Sequence, residues 1–344
     1  MRLAALLLAL LALAGCARPL PPGVTELTYA TPYGPGHPFS RADQAWMDEV
    51  KRRSGGKLVI RPLWSGAVLS SDMSLEELRH GVADIGLITP IYVRGGTHLI
   101  RTQSGFYSGI ESIAGQLALY RCMAASSPQF ARELTGLKVL AVQGGTLPGI
   151  VTRDRPVRSL ADLKGLRLRA PTELLGVLEA LGADPVNMPM GEVYSAMSKG
   201  VIDGVVAPGD TFRSLHFAEV AKHFNTLAIP RGAYPARAIG EQRWNSLTDG
   251  ERALLESTTP VWEAAIEREV MSALDRGMAE ARARKVSIVD MTPAEQERFD
   301  AVYLREAEVN ARALSALGID GIGVFRTARA AVKGRDRVEC GAAT

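Results

Sequence analysis

Residues 81–86 read Gly-Val-Ala-Asp-Ile-Gly, and residues 200–205 read Gly-Val-Ile-Asp-Gly-Val. Each segment follows an amphipathic helical pattern and opens an apolar strand that runs into a proline, Pro90 or Pro208. A helix–Gly–strand unit is a common connection in α/β proteins, so one copy alone indicates little. Two copies about one domain length apart predict an α/β fold built from two similar lobes.

The rest of the chain fits this architecture, because short β-branched runs alternate with helical patterns. Ser74 with Glu77, and Thr248 with Glu251, match the capping-box pattern at helix starts. Beyond about residue 245 the chain is strongly helical, and Pro260 is expected to kink or break the long pattern. The tail after about residue 326 is polar, and we expect it to be loosely held.

The N-terminus predicts export. Arg2 precedes an apolar run of Leu and Ala at residues 3–13, which is too short to span a bilayer and is typical of a signal peptide. Leu-Ala-Gly-Cys at residues 13–16 resembles a bacterial lipobox, so residues 1–15 would be removed and Cys16 lipidated. An ordinary secretory signal that happens to contain a cysteine is the alternative. Residues 16–25 are Pro-rich and would serve as a tether, which predicts a periplasmic, lipid-anchored protein.

Composition excludes several classes of function. The chain has 40 basic and 37 acidic residues without a basic run, so we expect no nucleic-acid partner. No second hydrophobic stretch of membrane-spanning length follows the signal. Cys122 and Cys340 are the remaining cysteines, and the sequence leaves open whether they form a disulfide or stay free thiols.

Catalytic and cofactor motifs are missing from the sequence. The glycine-rich residues 144–149 match neither a dinucleotide-binding fingerprint nor a P-loop, and neither G-x-S-x-G nor H-E-x-x-H occurs. His216, Glu219 and His223 could share a helix face as metal ligands, but a solvated surface stripe is the favoured interpretation. We therefore expect no metal, no cofactor and no enzymatic activity, and a cleft enzyme remains a remote alternative.

Candidate binding residues follow the predicted strands, because ligands of open α/β sheets lie beyond the carboxyl ends of strands. Arg169 ends one such strand, just before Ala170-Pro171. Its planar guanidinium could hold a carboxylate through two hydrogen bonds, although an ordinary strand-end ion pair is the alternative. The other candidates lie in segments after strand ends: Phe39, Thr89, Tyr92, Thr146, Asp210, Phe212 and Tyr234. For the aromatic residues among them, packing in a core is an equally good interpretation.

A set of segments resembles the solute receptors of the tripartite ATP-independent periplasmic (TRAP) transporters, dicarboxylate-receptor type. The segments are residues 54–58 (Ser-Gly-Gly-Lys-Leu), 77–86 (Glu-Leu-Arg-His-Gly-Val-Ala-Asp-Ile-Gly), 162–171 (Asp-Leu-Lys-Gly-Leu-Arg-Leu-Arg-Ala-Pro), 181–189 (Leu-Gly-Ala-Asp-Pro-Val-Asn-Met-Pro), 192–194 (Glu-Val-Tyr) and 200–204 (Gly-Val-Ile-Asp-Gly). In order and spacing they cover roughly residues 26–320. The resemblance is specific as a set, although no single segment is.

The resemblance implies a two-lobed periplasmic solute-binding fold with crossing hinge strands and a long helix that spans both lobes. Lobe I would comprise residues 26–146 and about 233–272, lobe II residues 147–232 and about 273–325, and the tail residues 326–344. It also implies that Arg169 holds the carboxylate of a small organic acid, which the receptor delivers to the membrane subunits of a TRAP transporter.

Two departures from the family pattern bear on the ligand. Gly149 stands where members with sugar-acid ligands often carry a second arginine, and Ala207 replaces a polar side chain that often touches ligand. Both changes predict a less polar site, suited to a monocarboxylate with an apolar or aromatic body. Two alternatives remain open: a receptor that serves a sensor or another transporter, and a ligand-free scaffold in which Arg169 is ion-paired internally.

Overall fold

The computed structural model describes residues 20–93 and 95–341. The predicted signal peptide, the lipidation site at Cys16 and the first part of the tether lie outside the described residues. Thirteen strands lie in the described part of the chain: β1 (Thr25–Ala30), β2 (Leu58–Leu63), β3 (Ile85–Leu87), β4 (Leu137–Gln143), β5 (Gly149–Thr152), β6 (Arg167–Arg169), β7 (Asp184–Val186), β8 (Gly204–Ala207), β9 (His223–Asn225), β10 (Tyr234–Gly240), β11 (Ser287–Val289), β12 (Val332–Gly334) and β13 (Arg337–Val338).

The helices lie between these strands and after them. They are α1 (Pro38–Arg53), α2 (Ser74–Arg79), α3 (His98–Gln103), α4 (Ile113–Ser126), α5 (Gln129–Glu133), α6 (Leu175–Ala180), α7 (Val193–Ser198), α8 (Thr211–Ser214), α9 (Glu241–Ser246), α10 (Asp249–Ala283), α11 (Pro293–Ala313) and α12 (Gly321–Ala331). Five short 3₁₀ turns complete the described secondary structure, among them Leu160–Leu163 and Thr172–Leu174.

The strands form one mixed sheet in each lobe. The sheet of lobe I has the order β2-β1-β3-β10-β4, in which β1, β2 and β3 are parallel and β10 is antiparallel to both neighbours. The sheet of lobe II has the order β11-β9-β5-β8-β6-β7, with β5 antiparallel to β8 and β9. These two sheets confirm the predicted two-lobed α/β fold.

The duplicated Gly–strand unit occupies equivalent places in the two sheets. Gly81 and Gly200 have φ of +74° and +70°, a conformation that glycine adopts without steric cost after a helix. Three residues further on, Asp84 accepts hydrogen bonds from the backbone N–H and hydroxyl of Thr28, which lies within the neighbouring strand β1. Asp203 likewise accepts from the backbone N–H of Arg167 at the start of β6. Each aspartate therefore fixes the register of an adjacent strand.

Several connections join the lobes, among them two crossing segments, the long helix α10, and helix α11, which packs Phe299 in the core of lobe II and Ala307 in that of lobe I. The chain passes from β4 to β5 through residues 144–148 and returns from β9 to β10 through residues 226–233. Helix α10 runs for 35 residues and packs against α1 of lobe I and α8 of lobe II. It begins at the predicted Thr248–Glu251 capping box and continues through Pro260, so the expected break does not occur.

Two local predictions are wrong. Ser74 lies inside the first turn of α2 and caps nothing; its hydroxyl accepts from the backbone N–H of Thr89, while Glu77 bonds Ser70. The tail is not loosely held either. Helix α12 packs into the core of lobe I through residues such as Phe325 rather than ending lobe II, and β12 and β13 form a hairpin beyond it.

A disulfide joins Cys122 in α4 to Cys340, with Cα atoms 5.4 Å apart. The sequence left this pairing open. The bond links positions separated by 218 residues, so it closes a long loop of the unfolded chain and restricts that chain accordingly.

Candidate functional site

Arg169 is the buried centre of the candidate site. It ends β6, and its side chain is only 2% exposed. Its Nε donates to the carbonyl oxygen of Met188 at 2.9 Å, and its Nη2 donates to the hydroxyl of Tyr92 at 2.7 Å. The guanidinium carbon also lies 5.5 Å from the centre of the Tyr92 ring. Because Tyr92 belongs to lobe I and Arg169 to lobe II, this contact joins the lobes.

No carboxylate neutralises Arg169 within the described residues. None of their acidic oxygens lies within 4.0 Å of its guanidinium nitrogens. Arg169 therefore does not form the ordinary strand-end ion pair that was one alternative for this residue. It also lacks the internal ion pair expected of a ligand-free scaffold. A buried cation that lacks a counter-ion is costly, so this position favours an incoming anion.

A small cavity of about 90 Å³ adjoins Arg169. An engineered apolar cavity of about 150 Å³ is enough to hold benzene, so this space suits a ligand of roughly that size after a modest opening. Its walls combine prolines and aliphatic side chains with a few polar groups. They are Ile91, Tyr92, Ser104, Pro148, Arg169, Pro171, Glu173, Leu174, Met190, Val206, Pro208, Pro230, Arg231, Gly232 and Tyr234.

Sequence reasoning missed two charged residues of this cavity, Arg231 and Glu173. Arg231 lies in the returning connection, and its guanidinium packs over Gly145, where a Cβ would approach it to 2.5 Å. Burial raises the pKa of Glu173 to about 7, against the opposing effect of the nearby Arg169, Arg231 and Arg101. The sequence offers one signal for these two residues, their closeness to predicted site residues: Glu173 follows Arg169 by four positions, and Arg231 precedes Tyr234 by three.

A wider groove of about 460 Å³ lies beside this cavity, between Tyr33 of lobe I and Asp210 of lobe II. Tyr33 lines the groove and is also near the small cavity. Burial raises the pKa of its hydroxyl, and four residues that line the cavity are close enough to act on that pKa: Tyr92, Tyr234, Arg169 and Arg231. Burial also raises the pKa of Asp210 to about 6. We interpret the groove as the outer part of the cleft that leads to the small cavity.

The structure brings together only some of the predicted site residues. Tyr92 and Tyr234 line the cavity with Arg169, and Asp210 lines the outer groove. The others lie outside both spaces. Phe39 is in the first turn of α1 against Tyr33, and Phe212 packs on Phe224 in the core of lobe II. The hydroxyl of Thr89 donates to the carbonyl of Ser71. Thr146 is buried, and its hydroxyl has no hydrogen-bond partner among the described residues.

The two positions that depart from the family pattern also have structural explanations. A Cβ at Gly149 would lie 2.2 Å from the carbonyl oxygen of Asn225, so an arginine does not fit there without a backbone shift. Ala207 is buried in the core of lobe II, while its neighbours Val206 and Pro208 line the cavity. The expectation that Ala207 itself makes the site less polar is therefore wrong.

The three residues considered as metal ligands do not share a helix face. His216 precedes a short 3₁₀ turn that contains Glu219, whereas His223 begins β9. In the described part of the chain, no three His, Cys, Asp or Glu side chains are grouped closely enough to hold a metal ion. No described helix is both long and apolar enough to cross a membrane.

Two α/β lobes joined by crossing segments and a long helix, with a buried arginine at a cavity between them, define the class of extracellular solute-binding proteins. The chain belongs to the DctP family, bacterial extracellular solute-binding protein family 7, whose model matches residues 29–306. The resemblance noted in the sequence is thereby confirmed.

Known relatives agree with this assignment. A solute-binding protein of Roseobacter denitrificans is 32% identical over 166 residues, 47% of this chain, and the match spans about half (50%) of that relative's length. A TRAP periplasmic solute-binding protein from Desulfovibrio salexigens is 26% identical, with a TM-score of 0.72 over 90% of this chain and 95% of its own. A TRAP solute-binding protein from Rhodoferax ferrireducens, in complex with copurified benzoate, is 24% identical, with a TM-score of 0.80 over 89% and 97% of the two chains.

Proposed function

We propose that this protein is an extracytoplasmic receptor that binds a small organic acid between its lobes, with the ligand's carboxylate at Arg169. The observation that carries the proposal is the burial of Arg169 at the edge of a cavity, without a carboxylate partner among the described residues. A carboxylate there would meet a guanidinium that Met188 and Tyr92 already orient, so little ordering is required on binding.

The cavity walls favour an acid with an apolar or aromatic body. Four prolines and several aliphatic side chains line the space, which suits a flat ring better than a polyhydroxylated sugar acid. The volume of about 90 Å³ also argues against large ligands. The benzoate held by the Rhodoferax relative is a ligand of this kind.

Ligand binding is proposed to stabilise the closed arrangement of the lobes. Arg169 and Val206 belong to lobe II, whereas Tyr92 and Ser104 belong to lobe I, and all four line the cavity. A ligand that touches both lobes shifts the molecule toward closure by its difference in affinity for the two arrangements. The membrane subunits of a TRAP transporter would then recognise the closed form and receive the ligand.

Location and anchoring complete the proposal. Export through the signal peptide and lipidation at Cys16 would hold the receptor in the periplasm at a membrane surface. A receptor for a sensor or another transporter is the rival. Adjacent genes for a small and a large membrane subunit would support the TRAP assignment, and intact-mass analysis of the membrane-extracted protein would test the acyl chains on Cys16.

The direct test is mass spectrometry of the small molecule released when the protein, purified from its own cells, is denatured. We expect an organic acid that raises the melting temperature of the refolded protein. A ligand at 100 times its Kd adds about 2.7 kcal/mol to the free energy of unfolding.

Two variants of the same strand provide the matched comparison. Arg169→Ala is expected to lose the thermal shift. Arg167→Ala, in which the lost side chain is 53% exposed, is expected to keep it. A ligand without a carboxylate that stabilises both variants equally would contradict the proposal.

A further inference from the structure

The cavity beside Arg169 contains a second pair of charged groups that the carboxylate does not use. Arg231 and Glu173 both line it, Arg231 from the returning connection and Glu173 from the 3₁₀ turn after β6. Glu173 also packs against Gly105 of lobe I, whose added Cβ would lie 3.4 Å from that of Glu173. This pair therefore lies where the lobes meet.

Neither member of the pair has an ion-pair partner among the described residues, and one oxygen of Glu173 is unsatisfied. Oε2 of Glu173 is buried and has no hydrogen-bond partner among the described residues. No acidic oxygen of the described chain lies within 4.0 Å of the Arg231 guanidinium. Buried polar groups are normally satisfied, and leaving one unpaired is costly. A ligand group that satisfied both would therefore gain affinity.

The chemistry of the pair limits what that group is. A second carboxylate would suit Arg231 but would be repelled by Glu173 whenever that carboxyl is ionised, and an ammonium group would suit ionised Glu173 but be repelled by Arg231. A hydroxyl group both donates and accepts, so it can donate to Glu173 and accept from Arg231 at once.

We infer that Arg231 and Glu173 form a second polar contact region of the cavity, which selects carboxylic acids that also carry a hydroxyl group. The inference rests on the proposed carboxylate site at Arg169 and adds a specificity-determining pair to it. Sites built to bond a ligand hydroxyl discriminate strongly against the analogue that lacks it, because their own buried groups are then left unpaired.

The test is calorimetric titration of the ligand-free full-length protein with benzoate, phenylacetate, the three hydroxybenzoates and mandelate. We expect at least one hydroxylated acid to bind about 10-fold or more tightly than its parent acid. Equal affinities for the parent acids and all their hydroxylated forms would overturn the inference while leaving the proposed function intact. Failure of every acid to bind would overturn both the inference and the proposed function. Arg169→Ala is expected to lose binding of parent and hydroxylated acids alike, which separates the carboxylate contact from the hydroxyl contact.

Variants of the pair sharpen the test. Glu173→Leu and Arg231→Gln are each expected to remove the preference for the hydroxylated acid, while affinity for the parent acid changes less than about 3-fold. Glu179→Leu and Arg158→Gln, at exposed positions outside the cavity and the outer groove, are the matched controls and should retain the preference. A preference that survives in both Glu173→Leu and Arg231→Gln would assign the selection to other residues.

Discussion

Arg169 and Arg237 are both buried arginines, but only Arg237 has a carboxylate partner among the described residues. Arg237 is 1% exposed, and its Nε donates to Oδ1 of Asp43 at 2.7 Å. Trp262 donates to the same carboxylate oxygen, and the hydroxyl of Tyr29 donates to the other. Arg169, equally buried, bonds only a carbonyl and a phenol among the described residues. The first arginine has a carboxylate partner, although its Nη2 is buried without a hydrogen-bond partner among the described residues, and the second has room for an anion.

This contrast separates a structural ion pair from a binding site more clearly than burial alone. Breaking the ion pair of a buried arginine destabilises the folded protein, because the charge of the remaining partner is left uncompensated. A buried arginine without a carboxylate partner does not stabilise the empty protein, and its charge becomes favourable only when an anionic ligand arrives. The two residues should therefore respond in opposite ways to mutation and to ligand.

The largest expected effect is on Asp43. Asp43→Asn removes the negative charge that faces Arg237 while keeping the shape of the side chain. We expect the free energy of unfolding to fall by about 3–5 kcal/mol, measured by urea denaturation. Asp48→Asn, on the exposed face of the same helix, is the control and should cost under about 0.5 kcal/mol. A loss below 1 kcal/mol for Asp43→Asn would remove the distinction drawn between the two arginines.

The second effect is on ligand affinity at Arg169. Arg169→Met keeps the length and the apolar part of the side chain but removes the charge. We expect affinity for the ligand to fall at least about 30-fold, which corresponds to about 2 kcal/mol. The free energy of unfolding of the ligand-free protein should change by less than about 1 kcal/mol, because no described carboxylate loses its partner. A large loss of stability with unchanged affinity would reverse the roles assigned to Arg169 and Arg237.

The sequence predicted one arginine of this comparison and not the other, for a physical reason. Arg169 lies in a local motif, at the end of a strand and before a rigid Ala-Pro pair, so its neighbourhood in sequence carries the signal. The Arg237–Asp43 pair joins residues 194 positions apart, and no local pattern marks it. Arg231 and Glu173 are likewise 231 − 173 = 58 positions apart, and no local pattern places them in one cavity.

The fold was more predictable than the site. Gly81 and Gly200 marked the duplicated helix–strand unit, since a turn with positive φ after a helix requires glycine. Aromatic candidates such as Phe39 and Phe212 lie near predicted strand ends, but the direction of each side chain depends on packing that periodicity does not define. Phe212 consequently lies in a core and not in the cavity.

A third effect concerns pH and distinguishes the cavity beside Arg169 from the Arg237–Asp43 pair. The pKa of Glu173 is raised in the folded protein to about 7, mainly by burial, whereas an unfolded glutamate has a pKa near 4.5. Between these values the folded state binds more protons, so the free energy of unfolding should fall as pH rises from about 4.5 to 7. The contribution of this residue is at most about 3 kcal/mol.

Comparison of Glu173→Gln with the wild-type chain isolates that contribution. The variant carries no titrating group at this position, so its stability should decline less over the same pH range in ligand-free protein. Glu179→Gln, exposed on α6, serves as the control and should follow the wild type. Parallel stability curves for Glu173→Gln and wild type would show that burial does not perturb this carboxyl.

The smallest effect concerns the contact that joins the lobes. Tyr92→Phe removes the hydroxyl that accepts from Arg169 but keeps the ring beside the guanidinium. We expect ligand affinity to fall about 2- to 10-fold, the usual range for one hydrogen bond, by calorimetric titration. Tyr194→Phe, which loses a bond to Glu219 on the surface of lobe II, is the control and should bind normally. If Tyr92→Phe instead bound ligand more tightly, the hydroxyl would be acting as a competitor that occupies the arginine in the empty protein. In either case the change should be far smaller than that of Arg169→Met, because the phenol orients the cation whereas the guanidinium supplies the charge.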